Sequence, residues 1–203
     1  MSVETVNAHV LIPHRPDWRT RVAWSRKWET KVRETVRGQE ERVATRPRGR
    51  HRIEFVVNPW DDVENQQMVD RAREVFRTGR AVTPFWGKGL VVTVALTAGS
   101  KVFAIEEEPS WEWDNLDWLF VSHPDAATYG TFEAIQLDRF KGDGMIRFQT
   151  NLVNSYPAGT RVYPLLFGAG EMGEIELLDD WHGAMAVKVE ETAVRDIPEP
   201  DTT

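Results

Sequence analysis

The sequence predicts a mainly β protein with one α-helix, organised as an N-terminal β-hairpin module followed by an antiparallel β-sandwich or barrel. Three observations predict it. Short strand-like runs recur from about residue 90 to the C-terminal region at the spacing of all-β domains. A single stretch, near residues 62–77, carries helical periodicity with caps at both ends. The loop Lys141-Gly142-Asp143-Gly144 between two apolar-alternating runs marks a hairpin.

Taken in order, Val3 to Ile12 ends at Pro13-His14-Arg15-Pro16, whose prolines hold the chain extended and interrupt a ladder, so residues 1–17 are expected to form an arm or edge strand. Trp28 to Val36 alternates polar and β-prone residues up to a Gly38-Gln39-Glu40 turn, and Glu41 to Thr45 completes the hairpin. After an Arg46 to Arg50 turn, Arg52 to Val57 is a strand with Ile53, Phe55 and Val57 on one face. Asn58-Pro59-Trp60-Asp61 precedes a helix from about Asp62 to Arg77, its stripe formed by Met68, Ala72, Val75 and Phe76, with Gly79 as the stop. The remaining predicted strands are Leu90 to Leu96, Lys101 to Ile105, Phe132 to Phe140, Met145 to Leu152, Thr160 to Leu166, Gly173 to Leu178 and Ala184 to Val189. The predicted division is an arm (1–17), a basic hairpin and helix module (18–80), an acidic β domain (81–192) and a flexible tail (193–203).

At 203 residues, with 41% hydrophobic and 28% charged residues, the chain is long enough to bury one substantial core. Its apolar runs are too short to span a bilayer, and no secretory signal is expected. The absence of Cys excludes disulfides and thiolate chemistry. The net charge of −7 conceals segregation: residues 15–52 hold thirteen Lys/Arg against five Asp/Glu, +8, which leaves −15 for the rest. Opposed charge within one small chain points to assembly, including with further copies of itself. Nucleic acid is a poorer partner for the Arg46 to Arg52 cluster, since no helix-turn-helix, RNP-like or zinc-finger pattern accompanies it.

Catalytic and metal-binding patterns are missing. Gly87-Lys88-Gly89 lacks the glycine and hydroxyl residue of a phosphate loop, and no serine sits in a Gly-x-Ser-x-Gly elbow. The five histidines include no i, i+4 pair. Glu106-Glu107-Glu108 and Asp179-Asp180 are adjacent runs that do not converge on one point in a strand. The expectation is therefore no catalytic residues, no metal, no cofactor and no enzymatic activity.

Nine Trp remain to be explained. Trp111, Trp113 and Trp118 sit among carboxylates, a pattern that stacks on sugar rings in a carbohydrate-binding module or fills an interface between subunits. Arg46, Arg48, Arg50 and Arg52, with Trp24 and Trp28, form the basic counterpart, suited to bidentate pairing with carboxylates such as Glu106, Glu107 and Glu108 or Asp179 and Asp180.

The order of the pieces resembles a known family. Trp28-Glu29-Thr30-Lys31-Val32 through Gly38-Gln39-Glu40-Glu41-Arg42, then Arg46-Pro47-Arg48 and Arg52-Ile53-Glu54-Phe55, is similar to the opening of minor tail and distal tail (tail-tip) proteins of tailed bacteriophages and gene transfer agents. Thr83-Pro84-Phe85-Trp86, Ala98-Gly99-Ser100-Lys101, Phe132-Glu133-Ala134-Ile135 and the stretch Tyr156-Pro157-Ala158-Gly159-Thr160-Arg161-Val162-Tyr163-Pro164 extend the resemblance across residues 18–166. The segment from Met1 to Pro16 has no counterpart in that pattern. The resemblance implies a structural protein of the virion tail, assembled in the host cytoplasm. Copies would form a ring that joins the tail tube to the hub or fibres, with partners among tube, hub and fibre proteins. Opposed charged regions suit the head-to-tail closure of such a ring.

Overall fold

The computed structural model describes residues 3–27, 30–34, 40–44, 50–59, 62–105, 118–123, 132–141, 145–174, 176–177 and 183–191, with backbone alone for 30–34, 40–44, 62, 139–141 and 176–177. The chain is mainly β with one helix. Its elements are β1 (Thr5–Val6), β2 (His9–Leu11), β3 (Ala23–Lys27), β4 (Thr30–Glu34), β5 (Glu40–Ala44), β6 (Arg50–Val57), α1 (Asp62–Thr78), β7 (Arg80–Pro84), β8 (Leu90–Val91) and β9 (Val102–Ala104). They continue with β10 (Trp118–Ser122), β11 (Phe132–Lys141), β12 (Met145–Phe148), β13 (Arg161–Met172), β14 (Glu176–Leu177) and β15 (Gly183–Glu191). No helix among the described residues is long and apolar enough to cross a membrane.

The chain folds as two compact units. Unit 1 is discontinuous, Met1–Val82 with Phe167–Thr203, and unit 2 is the intervening Thr83–Leu166. This grouping differs from the linear segments read from the sequence, because it rests on pairing between strands far apart in the chain. Strands β7 and β13 run on from one unit into the other.

In unit 1 the strands follow the order β1-β2-β7-β13-β15-β6-β3, with β14 on β15. The one parallel pairing described is β2 with β7, where Val10 faces Ala81 and Leu11 faces Val82, whereas β1–β2, β13–β15, β14–β15, β15–β6 and β3–β6 are antiparallel. Ile53, Phe55 and Val57 of β6 are buried with Met185, Val187 and Val189 of β15, which alternate in the same register. Helix α1 buries Met68 and Val75, but Phe76 is 93% exposed. The predicted stripe thus loses one member, because Phe76 lies about 80° around the helix from Met68. Gly170 shows how closely the helix approaches the sheet. A Cβ there would lie 2.3 Å from Ala81 Cβ and 3.0 Å from Val75 Cγ1.

The N-terminal segment is a docked edge hairpin. Asn7 and Ala8 turn it with φ of 48° and 60°, and Val6, Val10, Leu11 and Ile12 are buried. The buried Arg71 donates from Nε to the Leu11 carbonyl at 3.1 Å. His14 has its Nδ1 shielded from solvent with no hydrogen-bond partner among the described residues. Desolvation, reinforced by the Arg71 guanidinium, lowers its pKa to about 3.

In unit 2 the ladder runs β8-β13-β10-β11-β12-β9. It does not close as a barrel ladder. Its two ends meet through one isolated bridge, Val92 with Ile105, and a 3.4 Å bond from the Thr93 amide to the Ala104 carbonyl. Leu119, Val121, Ile135, Ile146, Phe148 and Val162 are among the side chains that fill the interior. The opposite face of β10 and β13 carries Phe120 and Tyr163, paired in register and covered by Trp86 at ring distances of 5.8 and 4.9 Å. Gly87-Lys88-Gly89 is the turn beside them, and a Cβ on Gly89 would lie 2.5 Å from the Tyr163 ring. Glu133 fastens the loop after β12. It accepts from the amides of Val153 (2.8 Å) and Asn154 (2.5 Å) and from the Tyr156 hydroxyl (3.2 Å).

Two predictions follow from these anchors. His14 is neutral in the folded chain, so the stability it contributes is present above about pH 6.5 and is lost as pH falls toward 3. His14→Gln should flatten the acid limb of a urea-midpoint-versus-pH profile; an unchanged limb would refute this role. In unit 2, Glu133→Ala strands three donors and should cost about 2–3 kcal/mol in denaturant unfolding, with Tyr156→Phe costing less.

Candidate assembly surface

The surface is built on β3. Asp17 sets its entry: its Oδ1 accepts from the Arg19 amide and Nε, both at 3.0 Å, and its Oδ2 from Asn58 Nδ2 at 2.6 Å. The Asp17 amide in turn donates to the Val56 carbonyl at 2.8 Å, tying this turn to the end of β6. Those bonds hold the Asp17 carboxyl below its ordinary pKa, the Arg19 side chain being the main cause. The chain then runs along β6 as β3, from Ala23 opposite Glu54 to Lys27 opposite Arg50. Among the described residues β3 pairs with β6 alone, and its other edge has no partner strand among them.

Strand alternation divides the predicted site residues between two faces. Trp24 faces Ile53 and thus belongs to the helix-bearing side, yet it is 53% exposed at the sheet margin. Arg50 and Arg52, opposite Lys27 and Ser25, belong to the other side. Trp18, in the turn before β3, is also largely exposed. The sequence placed Trp24 and the arginines in one cluster; the register sets them back to back across the same two strands.

The arginine side of the sheet is a lattice of alternating charge. Ala23, Glu54, Lys188 and Glu171 form one cross-strand row, and Ser25, Arg52, Glu190 and Ala169 form the next. Arg52 binds Glu54 along its own strand, Lys27 reaches Glu190 at 3.3 Å, and Lys188 reaches Glu171 at 2.6 Å. The Lys188 hydrogen bond, followed by its charge, holds the Glu171 carboxyl below the usual range. A groove of about 630 Å³ crosses this face over Ala23 and Ala186, rimmed by Arg21, Glu54, Glu171 and Lys188. The sequence reading set Glu54 on the Arg52 face of β6, but Glu190 and Glu171 escaped it, although the two-residue period of β15 and β13 places them there.

At the far end of the same strands, the His51 amide donates to Glu191 Oε2 at 2.9 Å, and Glu191 is buried. Arg50 Nε is shielded from solvent and has no hydrogen-bond partner among the described residues. Arg52, by contrast, is bound to Glu54. Strands β4 and β5 form a separate two-stranded sheet, Thr30 opposite Ala44 through Glu34 opposite Glu40. Arg46, Arg48, Trp28, Glu106, Glu107, Glu108, Trp111 and Trp113 lie outside the described residues. Trp118 opens β10 opposite Gln136 and is half-buried. Among the described residues no cluster of His, Asp and Glu could hold a metal ion.

No known protein-family model matches the chain, and no curated protein matches it.

The lattice carries its own prediction. Because Glu171 is held below its ordinary pKa, the stabilisation is present above that value and lost as pH falls through the lowered one. Lys188→Met should return the Glu171 titration, followed by NMR, toward the ordinary carboxylate value while the global melting transition barely moves, as for exposed pairs.

Proposed function

We propose that this chain is a structural subunit of a bacteriophage virion tail, a distal tail or tail-tip protein whose copies form a ring joining the tail tube to the hub or fibres. The observation that carries the reading is the edge of β3 that has no partner strand among the described residues, with Trp18 and Trp24 more than half exposed beside it and the exposed Arg21 nearby. An open edge offers backbone donors and acceptors to another strand, and the exposed indoles add apolar area to bury. The Arg21 cation discourages pairing with a like edge and favours an acidic one.

The resemblance spread over residues 18–166 supplies the tail context. A discontinuous unit 1 with unit 2 inserted also suits a ring subunit, in which one unit builds the ring and the inserted one meets other tail proteins. The saccharide-stacking reading gains no support from Trp118, whose indole is half-buried.

Negative-stain electron microscopy and sedimentation of the purified chain test the reading. Closed oligomers are expected at low salt, weakening as ionic strength approaches about 1 M, where charges further apart than roughly 3 Å are screened. Trp24→Glu with Arg50→Glu should release monomers that retain the wild-type melting transition. A wild-type chain that stays monomeric at all concentrations and salts would defeat the proposal.

A further inference from the structure

The sheet of unit 1 ends in β3 on one side and in β1 on the other, and β1 pairs with β2 alone among the described residues. The Leu11 amide donates to the Glu4 carbonyl at 3.0 Å, so the backbone groups of Glu4 and Val6 face β2. Alternation along an antiparallel strand then turns the N–H and C=O of Thr5, an exposed residue, away from the sheet. Residues 3–6, Val-Glu-Thr-Val, hold neither proline nor lysine, which commonly blunt an edge against further pairing.

Strand direction decides how the two ends can meet. From β1 to β3 the sheet passes through β2, β7, β13, β15 and β6, and β2 with β7 is its parallel step. Between β7 and β13 the Gly170 amide donates to the Gly79 carbonyl and the Phe85 amide to the Pro164 carbonyl, so residue numbers rise along one strand as they fall along the other. That pair is therefore antiparallel too. An odd number of reversals leaves β1 opposed in direction to β3. Where copies stand side by side with their strands pointing the same way, the β1 of one meets the β3 of the next antiparallel, the slightly more stable pairing.

The charges at the two ends are complementary. Glu4 is exposed and makes no ion pair among the described residues. Partial desolvation raises its pKa against the pull of Arg71, whose Nε is bound to the Leu11 carbonyl. Arg21, exposed two residues before β3, likewise makes no ion pair among the described residues. Pairing β3 with β3 would set these arginines against each other, and pairing β1 with β1 would do the same to the glutamates. Joining unlike ends brings Glu4 to the arginine side instead.

We propose that β1 of one copy pairs antiparallel with the second edge of β3 in the next, so that the unit 1 sheets continue from subunit to subunit. The inference rests on the reading that copies assemble, and it names the strand that occupies the β3 edge. Main-chain bonds supply the contact, as in other strand additions. Because two different surfaces meet, the contact is heterologous and closes into a ring when the rotation between copies permits. The arriving hairpin also covers Trp18 and Trp24, which are 61% and 53% exposed beside β3.

Two measurements on the full-length chain test it. Sedimentation velocity compares wild type with Thr5→Pro, Glu4→Lys and Arg21→Glu. The proline removes an outward N–H and leaves the bonds to β2 in place, so association should weaken by about tenfold or more. Glu4→Lys and Arg21→Glu each set like charges at the joint, and each alone should associate more weakly than wild type. Their equimolar mixture should recover, since the native pair forms at one joint and the swapped pair at the next. All three positions are exposed, so melting transitions near that of wild type are expected and would show that the losses are local. The second measurement uses the absence of Cys from the chain. Thr5→Cys is oxidised in mixture with Trp24→Cys or with Ser25→Cys, two positions that sample both faces of β3. At least one mixture should give crosslinked pairs on a non-reducing gel in excess of either variant alone. Association of wild type that Thr5→Pro and both charge variants leave unchanged, with no excess of mixed crosslinks, would overturn this joint while leaving assembly standing. A wild type that stays monomeric at all concentrations and salts would overturn the joint and the assembly reading together.

Discussion

Unit 1 depends on the antiparallel ladder between β6 and β15, which joins Arg52–Val57 to Met185–Glu190 across more than a hundred intervening residues. Closing a flexible loop of that length costs about 4 kcal/mol. The six side chains that the ladder turns inward, Ile53, Phe55, Val57, Met185, Val187 and Val189, are each at most 2% exposed. At roughly 1.5–3 kcal/mol apiece for burial, they exceed the closure cost. Removing the ladder would detach β3 from its only partner among the described residues, and with it the open edge.

The loop is also not flexible in practice, because unit 2 folds within it. Its entry and exit strands are hydrogen-bonded at their ends, the Phe85 amide donating to the Pro164 carbonyl at 2.8 Å. An inserted unit whose ends are adjacent is tolerated by its host with little entropic penalty. The arrangement frees unit 2 to carry its own core, closed across β8 and β9 by the Val92–Ile105 bridge rather than by a continuous ladder.

Strands with one wet face were legible in the sequence; strands buried on both faces, or on neither, were not. Ile53, Phe55 and Val57 alternate with polar residues, and the hairpin of β11 and β12 has its turn residues between alternating runs, so both were read. By contrast Leu119, Phe120, Val121 and Ser122 of β10 are buried in succession, as are Ala81 to Pro84 of β7. Continuous burial erases the period of two. The edge strand β3 fails in the other direction, since Trp24, Ser25 and Lys27 are exposed and no apolar face marks it. Leu90 to Leu96 illustrates a run that is apolar without being a strand throughout: only Leu90–Val91 pair as a strand, and Val94 projects into solvent at 63% exposure.

The candidate surface was half legible for a related reason. Sequence reveals the sum of charges in a segment, here +8 over residues 15–52. It does not reveal which charges are already satisfied within the subunit. Register does: Arg52 is bound by Glu54 and Lys27 by Glu190, so much of the apparent excess on that face is neutralised internally. What remains for a partner among the described residues is the second edge of β3 and the exposed Trp18 beside it. A segment's net charge therefore overstates its capacity for intermolecular pairing whenever neighbouring strands bring complementary residues into the same row, and cross-strand register, more than charge count, decides where an assembling chain can attach.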